Sequence, residues 1–179
     1  MKRGENGAVE ANEERFPSGM KNLADYIHSK GLFFGIYSSA GFKTCQAYPA
    51  SLGLEEMDIL TFTDWGVDYL KYDNCYTDHG SPQSRYLAMS TAIQTVSEAK
   101  GVNRMYYSLC EWGRENPATW ASKIGANSWR ISADIRDSWS SVVTRADIAA
   151  PLWRYSSPSA GWNDPDMLEV GNGKCSQVI

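Results

Sequence analysis

The sequence lacks the features by which nucleic-acid-binding and membrane-spanning proteins are commonly identified. Among its 179 residues, 17 lysines and arginines are outnumbered by 21 acidic residues, and the basic residues form no cluster. Because binding to phosphates needs a basic surface, we expect no nucleic-acid partner. The longest apolar run, residues 31–37, is far shorter than the roughly 20 residues of a membrane-spanning helix. We therefore expect no membrane partner either.

Cysteine and histidine are also scarce. The four cysteines show no C-x-x-C spacing, and His28 and His79 are the only histidines that could join them, so we expect no metal site and no cofactor. Two poorly placed histidines also argue against a Ser-His-Asp or Cys-His catalytic set. Residues 1–7 contain no apolar segment typical of a secretory signal peptide. Two interpretations remain: a cytosolic protein, or a sequence whose true N-terminus is missing.

Apolar periodicity alternates between helix-like and strand-like segments along the chain. We predict helices over residues 18–30, 54–65, 82–100, 117–124 and 138–149. We predict five strands, over residues 32–37, 67–72, 105–109, 128–131 and 152–155. This alternation implies an α/β fold with a parallel sheet. A doubly wound sheet suits the length but lacks a glycine-rich phosphate loop, whereas a (β/α)8 barrel needs eight units and five are present.

Aromatic residues are abundant, with seven tryptophans and ten tyrosines. Such rings line sugar-binding clefts, but they also fill ordinary hydrophobic cores. Composition alone leaves both interpretations open.

Carboxylates follow several of the predicted strands, where parallel α/β folds build their active sites. Asp73 follows Lys71 across one residue, so both side chains leave one strand face, and a nearby ammonium favours the charged carboxylate. Asp134 follows Arg130 at the end of another strand. Two carboxylates, one held anionic and one free to exchange its proton, are the apparatus of glycoside hydrolysis. The alternative is that each residue caps a helix or forms an Asx turn.

Residues 69–75, Tyr-Leu-Lys-Tyr-Asp-Asn-Cys, closely resemble the nucleophile motif of glycoside hydrolase family 27, the eukaryotic α-galactosidase (melibiase) family. Further segments resemble family blocks in family order: residues 15–20, 35–41, 108–113, 128–135 and 161–172. The resemblance implies a (β/α)8 TIM barrel followed by a C-terminal β-sandwich. We expect residues 1–173 to hold about five βα units of this catalytic barrel, without its first strand, its last units or the sandwich. Residues 174–179 match nothing in the family and are expected to be a tail outside it.

The resemblance also implies roles for particular side chains. Asp73 would be the catalytic nucleophile and Asp134 the general acid/base of a retaining mechanism, which requires about 5–5.5 Å between their carboxyl groups. Substrate-binding roles would fall to Lys71, Cys110, Glu111, Trp112, Arg130 and Met167. The bulk of Glu111 and Trp112 favours a sugar with a plain 2-hydroxyl over one with a 2-acetamido group.

Cys45 and Cys75 match a disulfide of the family. A disulfide implies an oxidising compartment. For the full-length parent protein we therefore expect a secreted, lysosomal or vacuolar location, although this chain carries no signal peptide.

The resemblance predicts a glycosidase that releases terminal α-linked galactose from oligosaccharides, polysaccharides or glycolipids. Two alternatives are an α-N-acetylgalactosaminidase and a non-catalytic galactose-binding remnant. Because an incomplete barrel exposes sheet edges and apolar strand faces, we expect the chain alone to be poorly stable and inactive. The sequence predicts no oligomeric state.

Overall fold

The structure, a computed structural model, describes residues 2–169 and residue 172. The predicted tail at 174–179 lies outside the described residues. The chain divides into two compact units, Met1–Ser108 and Leu109–Ile179. Among the helices that the structure describes, none is both long enough and apolar enough to cross a membrane.

The first unit alternates strands with helices after a short antiparallel ribbon. Its elements are β1 (Lys2–Arg3), β2 (Val9–Glu10), α1 (Gly19–Ser29), β3 (Gly35–Ser39), α2 (Glu55–Trp65), β4 (Tyr69–Asp73) and α3 (Pro82–Lys100), and β5 (Tyr106–Cys110) begins in it. β1 pairs with β2, and β3 pairs in parallel with β4, from Gly35 opposite Tyr69 to Ser39 opposite Asp73. β3, β4 and β5 are neighbours in one sheet, in the same order as in the chain.

Local signals explain where the helices of this unit begin and end. α3 begins at Pro82, whose fixed φ suits a first turn, and the Ser81 hydroxyl accepts a hydrogen bond from the Ser84 amide at 3.2 Å. α2 and α3 end before Gly66 and Gly101, which have left-handed backbone with φ of 83° and 65°. The helix predicted at residues 82–100 is thus confirmed at both ends.

Aromatic and aliphatic side chains fill the core of the first unit. Its fully buried members include Ile59, Phe62, Leu70, Tyr72, Tyr86, Met89, Ile93 and Tyr107. The rings of Tyr72 and Tyr86 meet edge to face with centroids 5.8 Å apart, a geometry that aromatic pairs favour. Much of the aromatic content of this unit therefore serves ordinary packing.

The second unit contains two parallel strands, one α-helix and three short 3-10 helices. β6 (Ser128–Arg130) pairs with β7 (Trp162–Asp164). α4 spans Trp139–Ala149, and the 3-10 helices span Pro117–Thr119, Ala121–Ile124 and Ala150–Tyr155. Trp129 is fully buried, and its indole N–H donates to Oδ1 of Asn163 at 2.7 Å. This bond ties β6 to β7 through side chains as well as through their backbones.

The strand predicted at residues 152–155 is wrong, because these residues lie in the 3-10 helix Ala150–Tyr155. Alternating large side chains favoured a strand, but Pro151 in the first turn has the φ of a helical residue. The indole of Trp153 also stays exposed instead of covering a sheet.

The strand that pairs with β6 is instead β7, which begins after Gly161. Gly161 has a φ of 110°, and a Cβ at this position would lie 2.6 Å from the Asn127 carbonyl oxygen. Only glycine allows this close approach of the backbones. The other four strands are confirmed within three residues of their predicted bounds. The helix predicted at residues 117–124 is two separate 3-10 turns, and the β1–β2 ribbon was not predicted.

A largely buried ion pair joins the β1–β2 ribbon to α2. The Arg3 guanidinium donates to both carboxylate oxygens of Asp58 at 2.7 Å, and also to the Ala50 carbonyl oxygen at 2.6 Å. The Asp58 side chain is 1% exposed. Removing one partner of such a pair leaves a charge without compensation away from water, which is strongly destabilising.

We expect Asp58→Ala to lower the free energy of unfolding by about 3–5 kcal/mol, because it leaves the Arg3 guanidinium without its anion. Asp25→Ala removes the exposed partner of Lys21 and should change this free energy by less than about 1 kcal/mol. Urea unfolding of the whole protein, followed by tryptophan fluorescence, measures both values. Equal effects of the two substitutions would contradict a structural role for the Arg3–Asp58 pair.

Candidate active site

The residues predicted to act on a substrate fall into two sets, one in each unit. In the first unit, Lys71 and Asp73 lie on β4 and alternate with the fully buried Leu70 and Tyr72. Because side chains of a strand point alternately to its two sides, Lys71 and Asp73 share the side opposite to the apolar residues. The strand thus presents a cation and a carboxylate on one face.

Two donors hold the carboxylate of Asp73. The Tyr37 hydroxyl donates to Oδ2 at 2.9 Å, and the Asn74 backbone N–H donates to Oδ1 at 2.9 Å. Within the described residues, Lys71 is not among the donors to this carboxylate, although it lies on the same face of β4. Sequence reasoning missed Tyr37, although the register holds the signal: Tyr37 pairs with Lys71 and therefore lies on the same sheet face.

The loops that follow β3 and β4 are fastened to each other. The predicted disulfide between Cys45 and Cys75 is confirmed, with their Cα atoms 5.1 Å apart. The Cys75 amide donates to the Ser39 hydroxyl at 2.9 Å. A Cβ on Gly41 would lie 1.9 Å from the Cys75 carbonyl oxygen, so only glycine fits there. These contacts fix the chain on both sides of the Asp73 carboxylate.

The disulfide also determines whether the sulfur atoms beside Asp73 can bind a metal ion. Ligand atoms of Cys45, Asp73 and Cys75 lie within 4.8 Å of one another. The two sulfurs are bonded to each other, so they offer no thiolate to a metal ion. The Cys45 sulfur instead packs against Oδ2 of Asp73 at 3.3 Å.

Arg85 braces the loop that follows Asp73. This buried side chain of α3 donates through Nη2 to Oδ1 of Asn74 at 2.7 Å, and through Nη1 to Asp78 at 2.9 Å and to the Gly80 carbonyl. Asn74 is the residue whose amide holds Asp73. Nothing in the sequence singled out Arg85, because its partners become neighbours only when the loop folds back on the helix.

In the second unit, Cys110, Glu111 and Trp112 come at the end of β5, where the chain turns sharply. Trp112 and Gly113 both have left-handed backbone, with φ of 60° and 75°. A Cβ on Gly113 would lie 2.2 Å from the Ile131 carbonyl oxygen. The turn therefore packs directly on the end of β6. Cys110 and Glu111 are buried there, whereas the Trp112 ring lies 4.6 Å from the Arg114 guanidinium.

Arg130 gathers several of the predicted residues. Its side chain is 2% exposed, and Nη2 bonds Oδ1 of Asp134 at 3.1 Å and Oδ2 of Asp166 at 2.8 Å. Its Nη1 lies 3.7 Å from the Cys110 sulfur. The structure therefore brings Cys110, Arg130 and Asp134 together. It adds Asp166, one of the carboxylates that follow predicted strands, for which the sequence indicated no specific role.

Asp134 is held mainly through its backbone. Arg145 of α4 donates to the carbonyl oxygens of Ala133 and Asp134 at 3.0 and 2.5 Å. The Asp134 side chain itself is 73% exposed. Met167 is exposed as well. The predicted spacing of about 5–5.5 Å between the carboxyl groups of Asp73 and Asp134 stays a prediction.

Glu111 is an unusual carboxyl because it is almost completely enclosed. Its Oε2 accepts the Glu115 amide at 2.8 Å, and its side chain is among the largest that are fully buried. The pKa of Glu111 is raised from about 4.5 to about 7, mainly by burial and to a smaller extent by the charge of Glu115. Hydrogen bonds from the amides of Glu115 and Gly113, together with the Arg114 charge, lower the pKa by less.

The chain is similar over nearly its whole length to known glycosidases. The family model described as Alpha galactosidase A (Melibiase_2) matches residues 1–178. An α-galactosidase of Oryza sativa subsp. japonica is 54% identical over 168 residues, which are 93% of this chain and 39% of the relative. The chain spans about two fifths of the length of the curated relatives it matches.

Solved structures give the same result for the fold. The crystal structure of α-galactosidase I from Mortierella vinacea is 41% identical with a TM-score of 0.88, over 97% of this chain and 48% of that chain. An α-galactosidase from Saccharomyces cerevisiae, solved with raffinose, is 38% identical with a TM-score of 0.84, over 97% and 43%. These neighbours are TIM-barrel enzymes, so the prediction of a partial (β/α)8 barrel is confirmed over the doubly wound sheet.

We expect the contribution of Glu111 to the stability of the whole protein to fall as the pH rises from about 4.5 to about 7, and to level off above. In this window the folded state keeps a proton on Glu111 that the unfolded state has released. Glu111→Gln should therefore lose less unfolding free energy than the wild type between these pH values. Urea titrations at both ends of the window measure the difference. The exposed Glu14→Gln is the control, and a Glu111→Gln slope equal to that control would contradict the raised pKa.

Proposed function

The chain belongs to the melibiase family of α-galactosidases, and we propose that it contributes the catalytic centre of a retaining α-galactosidase. Because it spans about two fifths of its curated relatives, this activity is proposed for the whole protein. Residues 1–173 would be the part of the catalytic barrel that this chain supplies.

The proposal rests on the difference in burial and contacts between two carboxylates. Asp73 is buried at the end of β4, and donors on both of its oxygens fix its orientation. Asp134 is largely exposed and touches the Arg130 guanidinium. A nucleophile must be ionised and aimed at one atom, whereas a general acid/base must exchange its proton with solvent and substrate. The two environments match these two roles.

The first step of the proposed reaction forms a covalent intermediate. A carboxylate oxygen of Asp73 attacks the anomeric carbon of the terminal galactose. The bond from that carbon to the leaving oxygen breaks, and the Asp134 carboxyl gives this oxygen its proton. The products are a galactosyl ester on Asp73 and the free alcohol.

The second step restores the enzyme. The Asp134 carboxylate takes a proton from a water molecule, and the water oxygen attacks the anomeric carbon. The ester bond breaks and leaves Asp73 as the carboxylate. Two inversions at one carbon give overall retention, which requires the carboxyl groups to be about 5–5.5 Å apart in the whole enzyme.

The remaining predicted residues would hold the sugar. We assign galactose hydroxyl contacts to Lys71 and Arg130, and the surroundings of the sugar to Cys110, Glu111, Trp112 and Met167. Terminal α-galactose in oligosaccharides, polysaccharides or glycolipids is the proposed substrate. The Saccharomyces cerevisiae relative solved with raffinose, an α-galactoside, supports this class of substrate.

An α-N-acetylgalactosaminidase is the alternative within the same chemistry. The bulk of Trp112 beside the buried Glu111 argues against it, because an acetamide group at the sugar 2-position needs space that small residues would leave. A non-catalytic galactose-binding protein is the second alternative. It would need neither a fixed carboxylate such as Asp73 nor an exposed one such as Asp134.

The disulfide supports a location for the whole protein. The Cys45–Cys75 bond persists in oxidising compartments. We therefore propose a secreted, lysosome-like or vacuole-like location, and partitioning of the whole protein between cytosolic and secretory fractions tests it.

We expect Asp73→Asn to lower the rate of 4-nitrophenyl α-galactoside hydrolysis by the whole protein by about 10³-fold or more, because the amide cannot form the ester. The exposed Asp25→Asn in α1 should keep the wild-type rate. A wild-type protein that prefers the matching N-acetylgalactosaminide would favour the first alternative. Galactose binding without turnover would favour the second.

We expect hydrolysis to proceed with retention, since Asp73 is proposed to form a covalent intermediate. Proton NMR of the first turnovers should show α-galactose appearing before its slow mutarotation to the β anomer. Initial formation of β-galactose would show that water attacks directly, and would remove the nucleophilic role of Asp73.

A further inference from the structure

Asp166 lies after β7 and binds two groups that belong to the surroundings of Asp134. Its Oδ2 is 2.8 Å from Nη2 of Arg130, and it accepts the Ile135 backbone N–H at 2.9 Å. The Asp166 side chain is 9% exposed. One enclosed carboxylate therefore contacts both the cation beside Asp134 and the residue that follows Asp134 in the chain.

The backbone at Asp166 is held in a conformation that aspartate rarely adopts. Its φ is 90°, in the left-handed region that favours glycine. The Asp166 amide donates to Oδ1 of Asp164 at 2.8 Å, and Oδ1 of Asp166 accepts the Met167 amide at 2.9 Å. A disfavoured backbone that the surroundings hold in place is typical of functional sites. Here it turns the carboxylate toward Arg130.

Arg130 is a single cation shared by two carboxylates. The same nitrogen, Nη2, contacts Asp134 and Asp166. If Arg130 acted on Asp134 alone, its charge would favour the ionised form of that carboxylate. A general acid must instead carry a proton when the substrate binds. The negative charge of Asp166, which also contacts Arg130, offsets the effect of Arg130 on Asp134.

We propose that Asp166 is a positioning residue that balances the charge of Arg130, so that Asp134 can hold the proton it gives to the leaving oxygen. This inference rests on the proposed function, because it concerns the general acid of that reaction. In this role Asp166 itself transfers no proton. It acts on Asp134 through Arg130 and through the Ile135 amide.

Charged groups from three elements of the second unit bear on Asp134. Arg130 comes from β6, and Asp166 comes from the segment after β7. Arg145 of α4 holds the carbonyl oxygens of Ala133 and Asp134. Arg136 and Asp137 follow Asp134 in its own loop. Arg130 places a positive charge beside the Asp134 carboxylate and Arg145 places one beside its backbone, whereas Asp166 places a negative charge beside Arg130.

The test is the pH profile of kcat/KM for Asp166→Asn in the whole protein, with two α-galactosides. Raffinose has a sugar leaving group that needs the general acid, whereas 4-nitrophenolate leaves with little protonation. We expect the basic limb for raffinose to move to lower pH by about one unit. The profile for the nitrophenyl substrate should move much less. Asp147→Asn, an exposed carboxylate of α4, is the matched control and should change neither profile.

The alternative is that Asp166 only anchors the loop through the Ile135 amide. Asp166→Asn would then lower the rates on both substrates by a similar factor without moving the basic limb for raffinose, and this result would overturn the inference. Asp166→Glu keeps the charge while it disturbs the packing, so it should lower rates but leave the limb in place. If Asp166→Asn does not fold, Asp166→Glu decides, because a limb that moves with the charge retained would also overturn the inference.

The two proposals fail in different ways. A whole protein that folds but has no α-galactosidase activity would overturn the proposed function, and this inference with it. An active wild type, inactivated by Asp73→Asn but with an unmoved limb in Asp166→Asn, would overturn the role of Asp166 alone.

Discussion

The parallel register between β3 and β4 sets the surroundings of the Asp73 carboxylate. Because Tyr37 pairs with Lys71 and Ser39 pairs with Asp73, every second side chain of the two strands lies on one sheet face. Tyr37 can then reach Oδ2 of Asp73, and the Ser39 hydroxyl can reach the Cys75 amide. A shift of one residue in this register would turn Tyr37 into the apolar core. The arrangement around the carboxylate therefore depends on strand pairing before it depends on any loop.

In the second unit, the main electrostatic constraint is the burial of the Arg130 guanidinium. Arg130 is almost completely enclosed, and an enclosed cation is costly unless anions and acceptors surround it. Asp134, Asp166 and the Ser132 carbonyl oxygen all lie within 3.2 Å of its Nη2. The cation thereby draws together two segments, the loop after β6 and the segment after β7. Neither segment has a regular backbone there, and the ion pairs act together with hydrogen bonds such as that from the Ile135 amide to Asp166.

Sequence reasoning located the elements that carry strong local signals. Pro82, Gly66 and Gly101 mark helix ends through their own backbone preferences, and those bounds could be read directly. The prediction of a strand at residues 152–155 was wrong because it rested on a pattern that depends on burial and not on a local backbone preference. Its aromatic residues fit a strand pattern, but burial decides whether such a pattern becomes a strand, and Trp153 stays exposed. The true strand, β7, is three residues long and has too few positions to show alternation.

The candidate site shows the same contrast between residues with local sequence signals and residues whose contacts are distant in the chain. Asp73 and Asp134 could be found from the chain alone because each stands in a motif at a strand end. Asp166 also follows a strand in such a motif, but its contact with Arg130 could not be predicted from the chain. The roles of Tyr37 and Arg85 could not be predicted either, since their partners are distant in the chain or become adjacent only after a loop folds. Tyr37 is 36 residues from Asp73, and Asp166 is 31 residues from Ile135. The residues that orient a carboxylate must approach it from other directions than its own backbone, so neighbouring elements supply them. Motifs thus identify the groups proposed to react, whereas register and buried charge determine the groups that hold them.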